Sequence, residues 1–97
     1  MKKSLFIREF GIRSPLLKVL DFLMDNESFD YSKNEIAKST KLSKATLLRM
    51  WPKLEVLGLI TTVDRDKYKL NKQNPIIKKL IELDDTISEY IFALQHL

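Results

Sequence analysis

The spacing of apolar residues predicts a first helix over about residues 15–25. Ser14 and Pro15 are typical of a helix start, because serine can cap free amides and proline fits the first helical position. Leucine, valine and methionine side chains then recur every three or four residues, which gives the helix a broad apolar face. Asn26 is expected to end this helix in the left-handed conformation.

Two further helices follow from the same kind of pattern. Ser32 and Glu35 have the spacing of a capping box, which predicts a short second helix. Ser43 is predicted to cap a third helix over residues 43–57. Pro52 lies inside this third helix and removes one backbone hydrogen bond. The apolar period continues through the proline, so we expect the helix to bend there rather than to end.

The rest of the chain predicts a hairpin and a last helix. β-Branched residues around a charged turn indicate a two-stranded β-hairpin within residues 61–70. Residues 74–97 predict a long helix capped by Asn74, whereas residues 1–13 fit either a short helix or an extended arm. The expected fold is mainly α (α+β), with a three-helix core and the hairpin in residues 14–73.

The last helix carries a regular apolar seam with alternating steps of four and three residues. The seam residues are Ile76, Leu80, Leu83, Ile87, Tyr90, Leu94 and Leu97. A helix of about 20 residues spans about 30 Å, comparable to a whole small domain, so part of the seam should extend beyond the domain. We therefore expect a homodimer in which this helix meets its symmetry mate. The predicted interface comprises Leu83, Ile87, Tyr90, Ile91, Leu94 and Leu97, and further candidates are Leu5, Phe6 and Phe10.

Length and composition limit the possible functions. A chain of 97 residues allows one domain. The absence of cysteine excludes disulfides, thiolate metal sites and cysteine nucleophiles. No stretch approaches the roughly 18 apolar residues of a membrane span, and the first apolar run is too short for a signal peptide. We therefore expect a cytoplasmic protein with no membrane partner.

Positive charge is concentrated in the middle of the chain. Residues 32–73 hold ten Lys and Arg against four Asp and Glu, whereas the segments on either side are balanced or acidic. A localised basic surface is the usual electrostatic property of a protein that binds a polyanion. Charge alone fits an ordinary solvated surface equally well, so the choice depends on a motif.

The second and third helices fit the apolar pattern of a helix-turn-helix. Two short helices that cross closely need apolar or small residues at set positions. Counted from Lys33, positions four, five, ten, fifteen and eighteen are Ile36, Ala37, Leu42, Leu47 and Met50. Position nine, commonly a left-handed glycine, is Lys41, which would cost about 1 kcal/mol there unless the turn has another shape.

A longer segment resembles a known family. Residues 43–49, Ser43-Lys-Ala-Thr46-Leu-Leu-Arg49, match the pattern S-x-x-T-[aliphatic]-x-R, and residues 54–60, Leu54-Glu-Val-Leu57-Gly58-Leu59-Ile60, match L-x-x-L-G-L-[I/V]. Both patterns are typical of the MarR/ArsR-like winged helix-turn-helix regulators, which this segment resembles. Residues 10–23 and 31–37 are similar to an archaeal branch of these regulators, and the resemblance covers residues 10–72. It implies a transcription regulator that binds a palindromic site in double-stranded DNA as a dimer. The third helix would enter the major groove, and the hairpin, as the wing, would meet the minor groove or the backbone.

The third helix would present to DNA the side opposite its core residues, which we expect to be Leu47, Met50, Leu54 and Leu57. Arg49 is the best candidate for a base contact, because its planar guanidinium can pair with guanine O6 and N7. A phosphate contact or a surface ion pair is the alternative. The other candidates on this side are Lys44, Ala45 and Leu48. Leu48 could meet a thymine methyl group or pack on the second helix.

Further candidate contacts lie beside that helix face. The hydroxyls of Ser43 and Thr46 should cap the helix, and the resemblance implies that they also meet phosphate. Arg65 and Lys67 lie at the predicted hairpin tip, and arginine suits a narrow minor groove, although ordinary solvation is the alternative. The expected phosphate anchors are Lys33, Lys38, Lys53 and Lys69.

Other functions stay open. A winged helix used for protein–protein contact would not need these basic side chains. A DNA-binding protein of replication, plasmid partition or a toxin–antitoxin pair would use the same residues on another target. No nucleophile constellation, phosphate loop or metal cluster supports an enzyme, so we expect no catalysis, metal or cofactor. Nothing marks a pocket for a small-molecule effector. Trp51 and Tyr68 follow the apolar period and are expected in the core, and the single histidine, His96, lacks a predicted partner.

Overall fold

A computed structural model describes residues 14–96, which form four α-helices and one two-stranded antiparallel hairpin. The elements are α1 (Pro15–Asp25), α2 (Lys33–Thr40), α3 (Lys44–Val56), β1 (Ile60–Asp64), β2 (Lys67–Leu70) and α4 (Pro75–Gln95). The predicted mainly helical α+β architecture is confirmed at this level. The predictions for residues 1–13, with Leu5, Phe6 and Phe10, and for Leu97 lie outside the described residues.

Each of these helices begins with a capping side chain at the predicted position. The caps are Ser14, Ser32, Ser43 and Asn74. At α2 the capping box is complete, because Ser32 Oγ accepts from the Glu35 amide and the Glu35 carboxylate accepts from the Ser32 amide at 2.9 Å. The prediction for Asn26 was wrong, because its φ of −129° is not left-handed. Its side-chain Nδ2 instead donates to the Phe22 carbonyl at 2.7 Å, which satisfies a free carbonyl at the helix end.

The core lies between α1, α2 and α3, which pack against one another, and β2 covers it beside α1. Its buried side chains are Val19, Leu20, Phe22, Leu23, Ile36, Ala37, Leu47, Trp51, Leu54, Leu59, Leu70 and Ile77. Trp51 is therefore a core residue, as predicted, and α3 continues through Pro52. The prediction for Leu57 was wrong, because its side chain is 46% exposed. The chain leaves α3 at this point and turns at Gly58, so Leu59 takes the buried position.

The hairpin is held to the helices by its second strand. β1 and β2 pair in antiparallel register, with a shift between Thr62 and Asp64. On the other edge of β2, Tyr68 exchanges two backbone hydrogen bonds of 2.8 Å with Tyr31, which precedes α2. The half-buried Tyr68 ring also meets Trp51 edge-on at 4.9 Å between centroids. Backbone pairing and aromatic contact together fix the hairpin against α3.

Two asparagine side chains form the junction between α3, the hairpin and α4. The Asn71 side-chain amide donates to the Gly58 carbonyl at 2.9 Å. The Asn74 side-chain amide donates to the Leu57 and Gly58 carbonyls at 2.7 and 2.9 Å, while its oxygen accepts from the Ile76 amide. Gly58 has a left-handed φ of +68°, and a Cβ there would lie 3.2 Å from the Asn74 amide nitrogen. The start of α4 is thereby tied to the end of α3.

Helix α4 lies mostly outside the core. Ile77 is its one fully buried side chain among the described residues, and Leu80 and Ile81 pack partly against the core. Ile76, the first residue of the predicted seam, is 45% exposed, whereas Ile77, one residue later, is buried. The molecule is elongated, with extents of 48 × 27 × 21 Å. Within residues 14–96, the helices are all too short or too polar to cross a membrane.

Candidate nucleic-acid interface

The solvent-facing side of α3 carries the predicted base-contacting residues. Leu47, Trp51 and Leu54 turn into the core, so the opposite side is exposed. Ala45, Arg49 and Lys53 follow one another at four-residue spacing on that side, and Lys44 and Leu48 flank them. All five are exposed, with Leu48 presenting an apolar side chain between cationic neighbours. We call these five residues the α3 face.

The hydroxyl groups at the start of α3 are engaged in capping. Ser43 Oγ accepts from the Thr46 amide at 3.1 Å and donates to Thr46 Oγ1 at 2.9 Å. The predicted capping role is therefore confirmed for Ser43, and Thr46 supports it. Each hydroxyl oxygen still has acceptor capacity, and the Thr46 hydroxyl still has its own hydrogen to donate.

The turn before α3 contains the predicted non-glycine residue in a left-handed conformation. Lys41 has φ 61° and ψ 28°, and its amide donates to the carbonyls of Ala37 and Lys38. A surface cleft of about 540 Å³ opens at this turn. Its lining residues are Asn34, Ala37, Lys38, Lys41, Leu42, Ser43 and Lys44.

Few of the cations in this part of the chain have a carboxylate partner. The ion pairs among residues 14–96 are Lys67–Glu35 at 2.7 Å, Lys72–Glu27 at 3.0 Å and Lys79–Glu82 at 3.5 Å. Within the described segment, no ion pair involves Lys38, Lys41, Lys44, Arg49, Lys53, Arg65 or Lys69. The α3 face and the adjacent turn therefore keep their positive charge available to an external anion.

Two of the lysines predicted to contact DNA are instead engaged within the protein. Lys33 Nζ lies 5.0 Å from the Trp51 ring centroid and 5.8 Å from that of Tyr68, which is cation–π geometry. Lys67 Nζ pairs with the Glu35 carboxylate, so it links the hairpin to the start of α2. These contacts make both lysines weaker candidates than the α3 face.

The Glu35–Lys67 contact is reflected in the acidity of both groups. Hydrogen bonding from Lys67, followed by the Ser32 amide and hydroxyl, lowers the pKa of Glu35 from 4.5 to about 2. The same hydrogen bond to Glu35 raises the pKa of Lys67. The pair is therefore ionised throughout the neutral range.

The hairpin tip offers one cation, Arg65, that forms no ion pair within residues 14–96. Arg65 is exposed in the turn, and its backbone amide donates to Asp64 Oδ1 at 2.8 Å. That contact shapes the turn and leaves the guanidinium outside the ion pairs described above. Lys69 is exposed on β2. Arg65 and Lys69 are thus available at the hairpin, whereas Lys67 is not.

Sequence reasoning missed the contribution of the turn. Lys41 was noted only as a departure from the expected glycine, although its position among Lys38 and Lys44 was a usable signal of a basic cleft. Within residues 14–96, no group of three or more His, Asp or Glu side chains is arranged to hold a metal ion.

Comparison with known proteins adds no relative to these observations. No protein-family model, curated protein or solved structure matches the chain.

Proposed function

We propose that the protein is a winged helix-turn-helix transcription regulator that binds double-stranded DNA in a sequence-specific manner. The observation that carries the proposal is the α3 face, where Lys44, Arg49 and Lys53 are exposed and have no carboxylate partner among residues 14–96. The order of three helices, hairpin and helix supports the winged-helix assignment. In this assignment, α3 is the recognition helix and the β1–β2 hairpin is the wing.

The α3 face has the chemistry that a major groove requires. The guanidinium of Arg49 can donate two parallel hydrogen bonds to guanine O6 and N7. Leu48 and Ala45 are exposed apolar groups of a size that suits a thymine methyl group. Lys44 and Lys53 lie toward the two ends of the helix, where they can neutralise phosphates and set the register. Arg65 at the wing tip is the candidate for the minor groove.

A titration against duplex DNA tests this function. Wild-type protein is incubated with a random duplex pool at two salt concentrations, beside the variants Arg49→Ala and Lys78→Ala. Wild-type protein should enrich one sequence, and its binding should weaken steeply with salt as counterions are released. Arg49→Ala should lose discrimination at one base position, about 5- to 150-fold. Lys78→Ala removes the same charge from the exposed surface of α4 and should keep the wild-type selectivity.

The opposite results would be equally informative. Absence of binding at low salt would contradict the DNA-binding function and direct attention to a protein partner for the same surface. Salt-dependent binding without sequence enrichment would contradict the regulator and favour a nonspecific DNA-binding protein. Equal loss in Arg49→Ala and Lys78→Ala would assign Arg49 a purely electrostatic role.

The same proposal includes a homodimer formed along α4. Leu83, Tyr90 and Leu94 are exposed, and Ile87 and Ile91 are only half-buried. An apolar groove lined by Pro75, Ile76, Lys79, Leu80 and Leu83 continues this stripe toward the start of α4. A second copy would cover the stripe and place two α3 helices about one turn of DNA apart, matched to a palindromic site.

Sedimentation equilibrium at tens of micromolar tests the dimer, with the double variant Tyr90→Lys, Leu94→Lys. Lysine is compatible with the C-terminal end of a helix, so α4 should persist while the apolar stripe is lost. Wild-type protein should sediment as a dimer and the variant as a monomer. Val63→Lys changes an exposed apolar residue of β1 and should leave the dimer intact. A monomeric wild-type protein would contradict this part of the proposal.

A further inference from the structure

The left-handed turn at Lys41 is the strained position among the non-glycine residues that the structure describes. Its φ of 61° is the one positive φ outside glycine in residues 14–96. The conformation favours glycine, because a Cβ crowds the following carbonyl, and lysine has no short polar group to compensate. Strained residues persist where the surroundings or a function require the side chain. A glycine would adopt this backbone conformation without strain, so the presence of lysine indicates a role for its side chain.

The residues around Lys41 indicate what that role is. Lys38 at the end of α2 and Lys44 at the start of α3 line the same cleft, so three of its seven lining residues are lysines. No carboxylate is among those lining residues, and none of the three lysines belongs to an ion pair in the described part of the chain. Three lysines around one concavity give it a positive potential that favours an entering anion.

The chemistry of the cleft suits a phosphate group. A volume of about 540 Å³ admits a phosphate group with part of its water shell. Lysine binds phosphate as a point charge and does not require planar pairing, in contrast to arginine. Asn34 lines the same wall, and its side-chain amide can donate a hydrogen bond to a phosphate oxygen.

We propose that Lys38, Lys41 and Lys44 form a binding site for a backbone phosphodiester of the DNA, and that Lys41 is kept in its strained conformation to complete this site. The proposal rests on the DNA-binding function above and adds Lys38 and Lys41, which lie outside the α3 face, to the phosphate contact of Lys44. The site fixes the position of α3 on the duplex and carries no sequence information of its own.

Two substitutions separate the charge of Lys41 from its conformation. Lys41→Gly removes the charge and relieves the strain, so its melting temperature should rise by a few degrees while its affinity for duplex DNA falls. Lys41→Gln removes the charge and keeps the strained conformation, so its affinity should fall without a rise in melting temperature. A plot of log binding constant against log salt concentration has a negative slope, and each variant should make that slope less steep by about 0.9. Each variant should also weaken binding several-fold across all sequences.

The matched control is Lys78→Gln, which removes one positive charge from α4. Its affinity and salt slope should stay near the wild-type values if the effect belongs to the cleft. Wild-type slopes in both Lys41 variants, with binding otherwise intact, would overturn the phosphodiester site and leave the proposed function standing. Wild-type protein that fails to bind duplex DNA at low salt would overturn both proposals. A sequence-selective loss in the Lys41 variants would also overturn the site, because a phosphate contact weakens all sequences alike.

Discussion

Helices α3 and α4 are both amphipathic, yet they use their apolar side chains differently. In α3, Leu47, Trp51 and Leu54 are buried in the core formed with α1 and α2. In α4, Ile77 is the buried residue, whereas Tyr90 and Leu94 are 71% and 67% exposed. The comparison shows that apolar spacing specifies the face of a helix that will be covered. It does not specify what covers it.

The difference follows from the sizes of the two helices and the body. At about 1.5 Å per residue, the 21 residues of α4 extend about 32 Å, whereas the molecule is only 27 and 21 Å across its shorter axes. The body can therefore cover only the first turns of α4. The 13 residues of α3 are short enough to lie across α1 and α2 over their whole length.

Truncation of a leucine in each helix tests this comparison most directly. Leu47→Ala should lower the free energy of unfolding by about 2 to 5 kcal/mol, because it leaves a cavity in the core. Leu94→Ala should change it by less than about 0.5 kcal/mol at low protein concentration, because its side chain is solvated. Urea unfolding followed by circular dichroism measures both. Equal losses at low concentration would show that α4 is packed within its own chain.

Removal of the Asn74 side chain tests the connection between the two helices. Asn74→Ala removes the cap of α4 and two hydrogen bonds to the end of α3. We expect a loss of about 1 to 2 kcal/mol, the upper range for a helix cap, in the same unfolding experiment. Gln73→Ala changes the preceding exposed residue and should have little effect. A wild-type value for Asn74→Ala would mean that the junction forms without its side-chain bonds.

The smallest expected effect concerns the exposed ion pair between Glu35 of α2 and Lys67 of β2, which belong to the packed part of the molecule. Because the pKa of Glu35 is lowered from 4.5 to about 2, its ionised form stabilises the folded state above about pH 4.5. That stabilisation should be lost as the pH falls from about 4.5 toward about 2. The stability difference between wild-type protein and Glu35→Gln should therefore shrink over this range.

Thermal unfolding of both proteins between about pH 6 and about pH 2 would measure this effect. Glu55→Gln, which changes an exposed carboxylate of α3 outside the ion pairs of residues 14–96, is the matched control. A constant difference between wild-type protein and Glu35→Gln across the range would contradict the role of ionised Glu35. High salt should also reduce the difference, since exposed ion pairs are screened.

The elements that the sequence predicted well depend on local interactions. The four caps and the helix bounds follow from contacts within three or four residues, so a single chain segment contains the necessary information. Asn26 is the exception, because asparagine can end a helix either through a left-handed backbone or through its side chain. The sequence does not distinguish the two.

The sequence is less informative at positions where distant parts of the chain meet. Leu57 was predicted to be buried, but the turn at Gly58 brings Leu59 into that place. Ile76 and Ile77 are adjacent, and only the docking of α4 on the body decides which one faces the core. The candidate site shows the same division. The exposed α3 face follows from helical spacing, whereas the partners of Lys33 and Lys67 lie on other elements.

The asparagine junction also has a mechanical consequence. Residues 71–74 are the whole connection between β2 and α4, and the Asn71 and Asn74 amides bind the carbonyls at the end of α3. The connection is therefore a rigid junction and not a flexible linker. We expect a rotation of α4 to be transmitted to α3, so a partner bound at the far end of α4 would also influence the orientation of α3.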